Sequence, residues 1–210
     1  MTPFTRHVGV AVPLLRDNID TDAIIPSREM RTVSRTGLAD GLFAPWRYTD
    51  VEARTPDHSF VLNLEVFAGA SILLAGQNFG CGSSREHAVW ALMERGFRVV
   101  IAPSFATIFH NNALRNGLLT VSLDEHLIQG IREWVEVNPQ HRLVEVDLEK
   151  CVLITDSTHA PIPFVIDSLS RKMLLEGLDE IGLTEQSLGS IAAFEESDRK
   201  RRSWVYLSDA

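Results

Sequence analysis

Between residues 76 and 88 the chain reads GQNFGCGSSREHA. This places two neighbouring hydroxyls (Ser83, Ser84), a guanidinium (Arg85), a carboxylate (Glu86) and an imidazole (His87) directly behind three glycines. The guanidinium is a rigid fork suited to a carboxylate or phosphate. Glycines let backbone N–H groups come close to such an anion. A serine hydroxyl in water is a poor nucleophile and a poorer base, and it needs a positive, preorganised setting to act as either. The working reading is an anion-binding turn that carries an unusual pair of hydroxyls.

An apolar run, SILLA (71–75), leads into the turn, and HAVWALMERGF leads out, with Ala88, Ala91 and Leu92 at i, i+3, i+4. Strand, tight turn and helix start is the simplest layout. It puts Ser83 and Ser84 at or beside the helix N-cap, where free N–H groups and the positive end of the dipole attract anions. The plain structural alternative is that the serines only cap the helix and Arg85 only pairs with Glu86 or Asp22. Two serines and an arginine after three glycines favour a functional site over that alternative. His87, one turn into the helix, reads as a hydrogen-bonding prop for the turn, and His110, between apolar neighbours, as a core or boundary residue.

Competing motifs fail on specific residues. A dinucleotide fingerprint needs a third glycine where Arg85 stands, a P-loop needs a lysine the turn lacks, and a nucleophile elbow needs G-x-S-x-G. A hydrolase pairing Ser83 or Ser84 with His87 or His110 stays arithmetically open, but without the elbow it is a weak reading.

Upstream, HVGVAVPLL (7–15) reads as a strand whose Pro13 suits a sheet edge. Asp17, Asn18, Asp20 and Asp22 then crowd a turn that lacks the spacing and distal Glu of a calcium loop, so turn chemistry and capping are favoured over a metal site. Arg28, Arg31 and Arg35 follow with Glu29, a pattern that alone reads as a solvated segment. Residues 37–57 form a loop expected to be packed down by Phe43, Trp46 and Tyr48.

Strands are expected at 59–64, 71–75, 97–103 and 118–123, the third buried on both faces as in a parallel or mixed α/β sheet. Ser104 is expected to cap a helix ending at Asn116-Gly117, with a third helix at 124–135. Strand-like runs at 143–146, 152–155 and 162–166 precede two helical segments divided at Gly182-Leu183, and the RKRR run at 199–202 reads as a solvated tail. Alternating strands and helices without repeats make one compact α/β domain over 1–210 the economical expectation, with its core at about 7–195 and a tail at 196–210.

The bulk properties narrow the classes. The 45% hydrophobic and 23% charged fractions over 210 residues belong to a soluble globular chain. A net charge of -8 argues against nucleic acid as partner. Two cysteines, Cys81 and Cys151, make no disulfide framework. With no signal peptide pattern and no run long enough to span a bilayer, the expected location is the cytoplasm.

The serine turn, preceded by NIDTDAIIP and followed by GFRVVIAPSFATIFHNNALRNGLL and GLDEIGLT, resembles the small subunits of 3-isopropylmalate dehydratase. These are the separate-chain counterparts of the mobile C-terminal swivel domain of aconitase. The resemblance covers residues 18–195, and the blocks occur in the family's order. It implies a swivel-type β/β/α fold, a mixed sheet flanked by helices. It also implies a hydro-lyase that isomerises 2-isopropylmalate to 3-isopropylmalate through isopropylmaleate in leucine biosynthesis.

By the same resemblance, Ser83 is the base that takes the proton beside a carboxylate. Ser84 and Arg85 bind the substrate carboxylate, and Thr21 and Asp22 lie at the active site. Arg28 supplies positive charge in a loop that faces the substrate side chain. The family's [4Fe–4S] cluster needs about three or four thiolates. Two cysteines therefore place it on a separate large subunit, leaving no metal ligand in this chain.

One departure is informative. In the loop reading SREM (27–30), Glu29 stands where family members carry an apolar or aromatic residue. A carboxylate facing an isopropyl group would favour smaller substrates such as citramalate or dimethylmalate, which are the alternative. A binding module that kept the fold and lost the chemistry is the non-enzymatic one.

Overall fold

The computed structural model describes residues 1–30, 34–155 and 160–206. Its centre is a parallel sheet of β2 (Ala11–Leu14), β5 (Ile72–Ala75), β6 (Val99–Ala102) and β7 (Leu119–Ser122), in that order across the sheet. Pairing runs Val12 to Leu73, Leu73 to Val100 and Val100 to Thr120. Every residue of β5 and β6 is fully buried, so both read as continuous apolar runs, the mark of strands covered on two faces. Pro13, which has no N–H to give a ladder, sits in the edge strand β2.

Strand alternation splits the core in two. Leu73 and Ala75 join Val12, Val100 and Ala102 under α1 (Thr21–Ile24), α3 (Glu86–Glu94) and α4 (Thr107–Asn116). Ile72 and Leu74 join Val99, Ile101 and Val121 under α5 (Glu125–Val137). That second face also packs an antiparallel sheet ordered β1 (Arg6–Gly9), β8 (Val144–Asp147), β9 (Val152–Ile154) and β10 (Ile162–Pro163). The swivel-type α/β fold stands, with parallel and antiparallel pairings divided between two sheets.

The expected strand at 7–15 is two strands in two sheets. The chain crosses between them at Val10, where a Cβ on Gly9 would lie 2.0 Å from Ser71 Oγ. Between β2 and β5 run the short α2 (Ala44–Arg47) and a hairpin of β3 (Tyr48–Asp50) and β4 (Thr55–Pro56). Phe43 is fully buried and stacks on Trp46 at 5.8 Å, so the aromatics do pack this segment down.

Several expectations need correction. The run 59–64 is not a strand: Val61–Asn63 is a 3₁₀ turn, because Phe60 is drawn into the core and the Asn63 side-chain amide donates to the carbonyls of Arg47 (2.6 Å) and Asp57 (2.9 Å). The C-terminal helices α6 (Ser168–Glu176), α7 (Glu180–Glu185) and α8 (Leu188–Arg201) break at Gly177, whose φ of +70° ends α6. Gly182-Leu183 lies inside α7, its N–H at residue 182 taken by the capping carboxylate of Asp179 (2.8 Å). The basic run at 199–202 closes α8 instead of trailing as a tail, since Arg202 forks onto the buried Asp198 at 2.7 and 2.8 Å. Arg31 lies outside the described residues.

Candidate active site

The serine turn begins at the carboxyl end of β5, beside the loop leaving β2. A Cβ at Gly76 would come within 2.4 Å of the Arg16 carbonyl oxygen, so glycine is what lets the two exits run together. From there they are laced. Asn18 N–H donates to Gln77 O (2.8 Å), Gly80 N–H to Ile19 O (2.7 Å) and Thr21 N–H to Cys81 O (2.8 Å). Asp17 accepts from the Gln77 backbone N–H (2.9 Å), and Asn78 Nδ2 donates to Asn18 Oδ1 (2.8 Å). Asp20 caps α1 by accepting from Ala23 N–H at 2.7 Å. The acidic cluster is thus spent on turns, caps and ties, as turn chemistry predicts.

The far side of the turn is held by aromatic packing. Gly80 has φ +78°, and a Cβ there would sit 2.2 Å from Phe109 Cγ. Phe79 packs edge-on against Phe109 at 5.1 Å. Ser104 does not cap α4, whose N-cap is Ala106. Its hydroxyl and its carbonyl instead accept the N–H groups of Asn78 (2.8 Å) and Phe79 (3.1 Å). Sequence reasoning missed this role, because a serine before a helix carries the same signal whether it caps or ties.

At the tip, Ser83 N–H donates to Thr21 Oγ1 at 3.1 Å. Thr21 is only 2% exposed, so its side chain shapes the turn and does not face solvent. Arg85, not a serine, is the N-cap of α3, and no side chain caps that helix. Both serines are exposed, and neither hydroxyl is hydrogen-bonded to any described residue. Neither, in particular, bonds to a histidine, so the hydrolase reading lacks its dyad. The Arg85 guanidinium pairs with the Asp22 carboxylate. Arg85 is 23% exposed and Asp22 57%, which puts the pair at the surface beside the serines. One of the guanidinium's five donors is used there, leaving the rest of the fork.

The other histidines lie apart. His87 packs its ring on Trp90 at 4.8 Å, and no hydrogen bond to a described residue makes it a prop for the turn. His110 Nδ1 meets Thr120 Oγ1 at 2.8 Å. Burial pulls the His110 pKa below its ordinary value, against a smaller upward pull from Asp167. Glu86 leans away to accept from Asn116 Nδ2 at 3.0 Å.

Arg28 follows, exposed, on the 3₁₀ turn Ser27–Glu29, and the neighbouring Ser27 Oγ lies 3.4 Å from Asp22 Oδ1. Glu29 does not face outward as expected. Its side chain is 8% exposed and accepts from Arg54 Nη2 at 2.5 Å. A pairing across 25 residues leaves no local trace in sequence.

Among the described residues no cluster of three or more His, Cys, Asp or Glu could hold a metal. Cys81 and Cys151 are separate, half-buried free thiols, the latter donating weakly to Leu148 O at 3.5 Å. This donor set does not fit an iron–sulfur cluster. No helix among the described residues is long and apolar enough to cross a membrane.

The fold and site together define a swivel domain of the aconitase type. The family model described as Aconitase C-terminal domain matches residues 1–126, and the chain belongs to that family. Within it, a small subunit of 3-isopropylmalate dehydratase from Cupriavidus necator is 56% identical over 207 residues, 99% of each chain. The crystal structure of a 3-isopropylmalate dehydratase from Methanocaldococcus jannaschii aligns with a TM-score of 0.64 at 30% identity, covering 90% of this chain and 99% of that one.

Proposed function

We propose that this chain is the small subunit of a heteromeric hydro-lyase that interconverts 2-isopropylmalate and 3-isopropylmalate, through isopropylmaleate, in leucine biosynthesis. The observation that carries this reading is the 56% identity along 99% of a chain of that name. The exposed Ser83–Ser84–Arg85 tip supports it from the chemistry.

Ser83 removes and returns the proton on the carbon beside a substrate carboxylate. Its hydroxyl has no hydrogen-bond partner among the described residues and lies next to a guanidinium and to the N-terminus of α3, both of which favour the deprotonated oxygen. Ser84 and Arg85 hold the carboxylate, Arg85 exchanging Asp22 for it. Thr21 positions Ser83 through its backbone N–H. Arg28 adds positive charge at the rim. The whole chain works as one swivel-type unit, and its free thiols suit a reducing cytoplasm.

The Lewis acid needed to expel the hydroxyl is a [4Fe–4S] cluster held by a large subunit. The inward turn of Glu29 removes the reason for preferring citramalate or dimethylmalate, since its carboxylate is committed to Arg54.

Reconstitution tests this. The purified chain alone should turn over nothing. With a cluster-bearing large subunit it should act on 2-isopropylmalate in preference to citramalate and dimethylmalate. Turnover by the chain alone, or preference for a methyl-substituted acid, would sink the reading.

A further inference from the structure

Two groups at the serine tip are held from one short stretch of chain. Thr21 and Asp22 are consecutive residues of α1, a helix of a single turn. The buried Thr21 takes the Ser83 N–H on its hydroxyl at 3.1 Å, and the exposed Asp22 pairs with the Arg85 guanidinium. Successive helical residues point about 100° apart. Both contacts therefore depend on one register, and a turn that unwinds loses them together.

α1 cannot keep that register by itself. Its turn is closed by Ile24 N–H to Asp20 O (3.0 Å) and Ile25 N–H to Thr21 O (2.9 Å), far short of the length at which a helix is stable in water. Its C-terminal end is fixed by the core: Ile24 and Ile25 are fully buried, and Phe43 N–H donates to Ile24 O at 2.8 Å. At its N-terminal end the first N–H groups have no partner within the helix. There Thr21 N–H goes to Cys81 O (2.8 Å) and Ala23 N–H to the Asp20 carboxylate (2.7 Å).

Asp20 stands at the junction of the two strand exits. Its backbone pairs in parallel with Cys81, two residues before Ser83. A Cβ at Gly82 would lie 3.4 Å from both Asp20 Cβ and Thr21 Oγ1, so the serine turn rests directly on this corner. With φ −85° and ψ 168°, Asp20 is extended, and its carboxylate folds over the first turn of α1 as a cap. On the other side of the tip α3 begins without a side-chain cap. The capped end of the tip is the α1 end.

We propose that Asp20 is a positioning residue for the hydro-lyase reaction: by capping α1 it sets the Thr21 hydroxyl against the Ser83 N–H and so holds the base in place. This rests on the role given to Ser83 above. Asp20 acts through its neighbours and not on the substrate. Without the cap the Ala23 N–H loses its acceptor and the first turn of α1 frays, which frees the Ser83 backbone. Arg85 then loses an anchor and a competitor together, since Asp22 is both, so substrate affinity moves less than rate.

The test uses the reconstituted heteromer with Asp20→Ala, Asp20→Asn and Asp20→Glu, and with Thr21→Val alone and combined with Asp20→Ala. kcat and KM are measured on 2-isopropylmalate, and amide exchange at Ala23 and Ser83 is followed by NMR on the isolated full chain. Asn keeps the cap and loses the charge, whereas Glu keeps the charge on a side chain one methylene too long to cap. Asp20→Ala and Asp20→Glu are expected to lower kcat roughly tenfold, with KM within about threefold, and to speed exchange at both amides. Asp20→Asn should stay within about twofold of wild type in rate and exchange. On the Thr21→Val background Asp20→Ala should add little, because the contact it supports is already gone.

An Asp20→Asn enzyme as slow as Asp20→Ala would overturn the proposal, because the carboxylate would then act by its charge. Unchanged exchange at Ala23 and Ser83 in Asp20→Ala and Asp20→Glu would overturn it too. Should Asp20→Ala fail to fold, the comparison of Asn with Glu decides the matter unaided. If the wild-type heteromer does not turn over 2-isopropylmalate, the hydro-lyase reading falls and the catalytic role of Asp20 falls with it. Exchange at the two amides then decides the capping role alone.

Discussion

The two faces of the parallel sheet are equally dry and do different work. On the α5 face, Ile72, Leu74, Val99 and Ile101 meet a helix and an antiparallel sheet, and the polar ties there secure chain turns. Asp147 takes the Lys150 N–H at 2.8 Å, and Arg171 donates to the carbonyls of Leu148 and Glu149 at 3.1 and 2.6 Å. On the α3 face the same strands, one residue out of phase, pack against helices whose entry turns are left open to solvent. There the polar ties join two strand exits and present Ser83, Ser84 and Arg85. Core quality does not separate the faces. What separates them is where glycine and left-handed backbone let the chain leave the carboxyl ends of β2 and β5, the place where open α/β sheets bind ligands.

The sharpest way to break this contrast is Ser83→Ala. Its hydroxyl makes no hydrogen bond to any described residue, so stability should move by less than about 0.5 kcal/mol. The kcat of the heteromer should nevertheless fall by about 10²- to 10⁴-fold. A near-normal rate by single-turnover assay would remove Ser83 from the base role.

Two glycine substitutions compare the faces directly. Gly80→Ala forces a methyl into the Phe109 ring at a left-handed φ and should cost about 2–4 kcal/mol in urea unfolding. Gly130→Ala in α5, where nothing lies within 4 Å, should stabilise by about 0.5–1 kcal/mol. Equal effects would mean that the serine turn is no more constrained than an exposed helix.

Smaller again, Arg85→Lys keeps the charge and loses the fork, so KM should rise roughly tenfold with little change in kcat. An unchanged KM would show that a point charge suffices there. The smallest effect comes from His110, whose folded pKa burial holds below the ordinary 6.5. The unfolded chain then binds the proton more readily. The stabilisation is complete above about pH 6.5 and is lost as pH falls through that value toward the folded one. His110→Asn should flatten the dependence of the thermal midpoint on pH between about 7 and 5. An unaltered slope would place the titration elsewhere.

The parallel core was legible because its strands are short, apolar and bounded by glycine or proline, which local pattern reports well. The serine turn was legible for a different reason: Gly80, Gly82, Ser83, Ser84 and Arg85 fall within six residues. The failures share a cause. Ser104, Asn63 and Glu29 each have a local reading as cap, strand residue or surface charge, and each is claimed by a partner distant in sequence. The break at Gly177 was missed because Gly182 offered the same signal a few residues later. There the carboxylate of Asp179 caps the start of α7 and takes the Gly182 N–H into its first turn.

The contact between Arg85 and Asp22 also bears on the carboxylate-binding role proposed for Arg85. An arginine waiting in water must shed its hydration when a ligand arrives. Here folding has already bound it to a carboxylate that is itself more than half exposed. If Arg85 takes the substrate carboxylate as proposed, binding becomes an exchange of one counter-ion for another, so its net strength is a difference between two similar contacts. A ligand with a single carboxylate gains little from that trade. One with two carboxylates can spend the first on the exchange and hold on by the second, so on the proposed role of Arg85 the resident Asp22 would act as a filter for dianions.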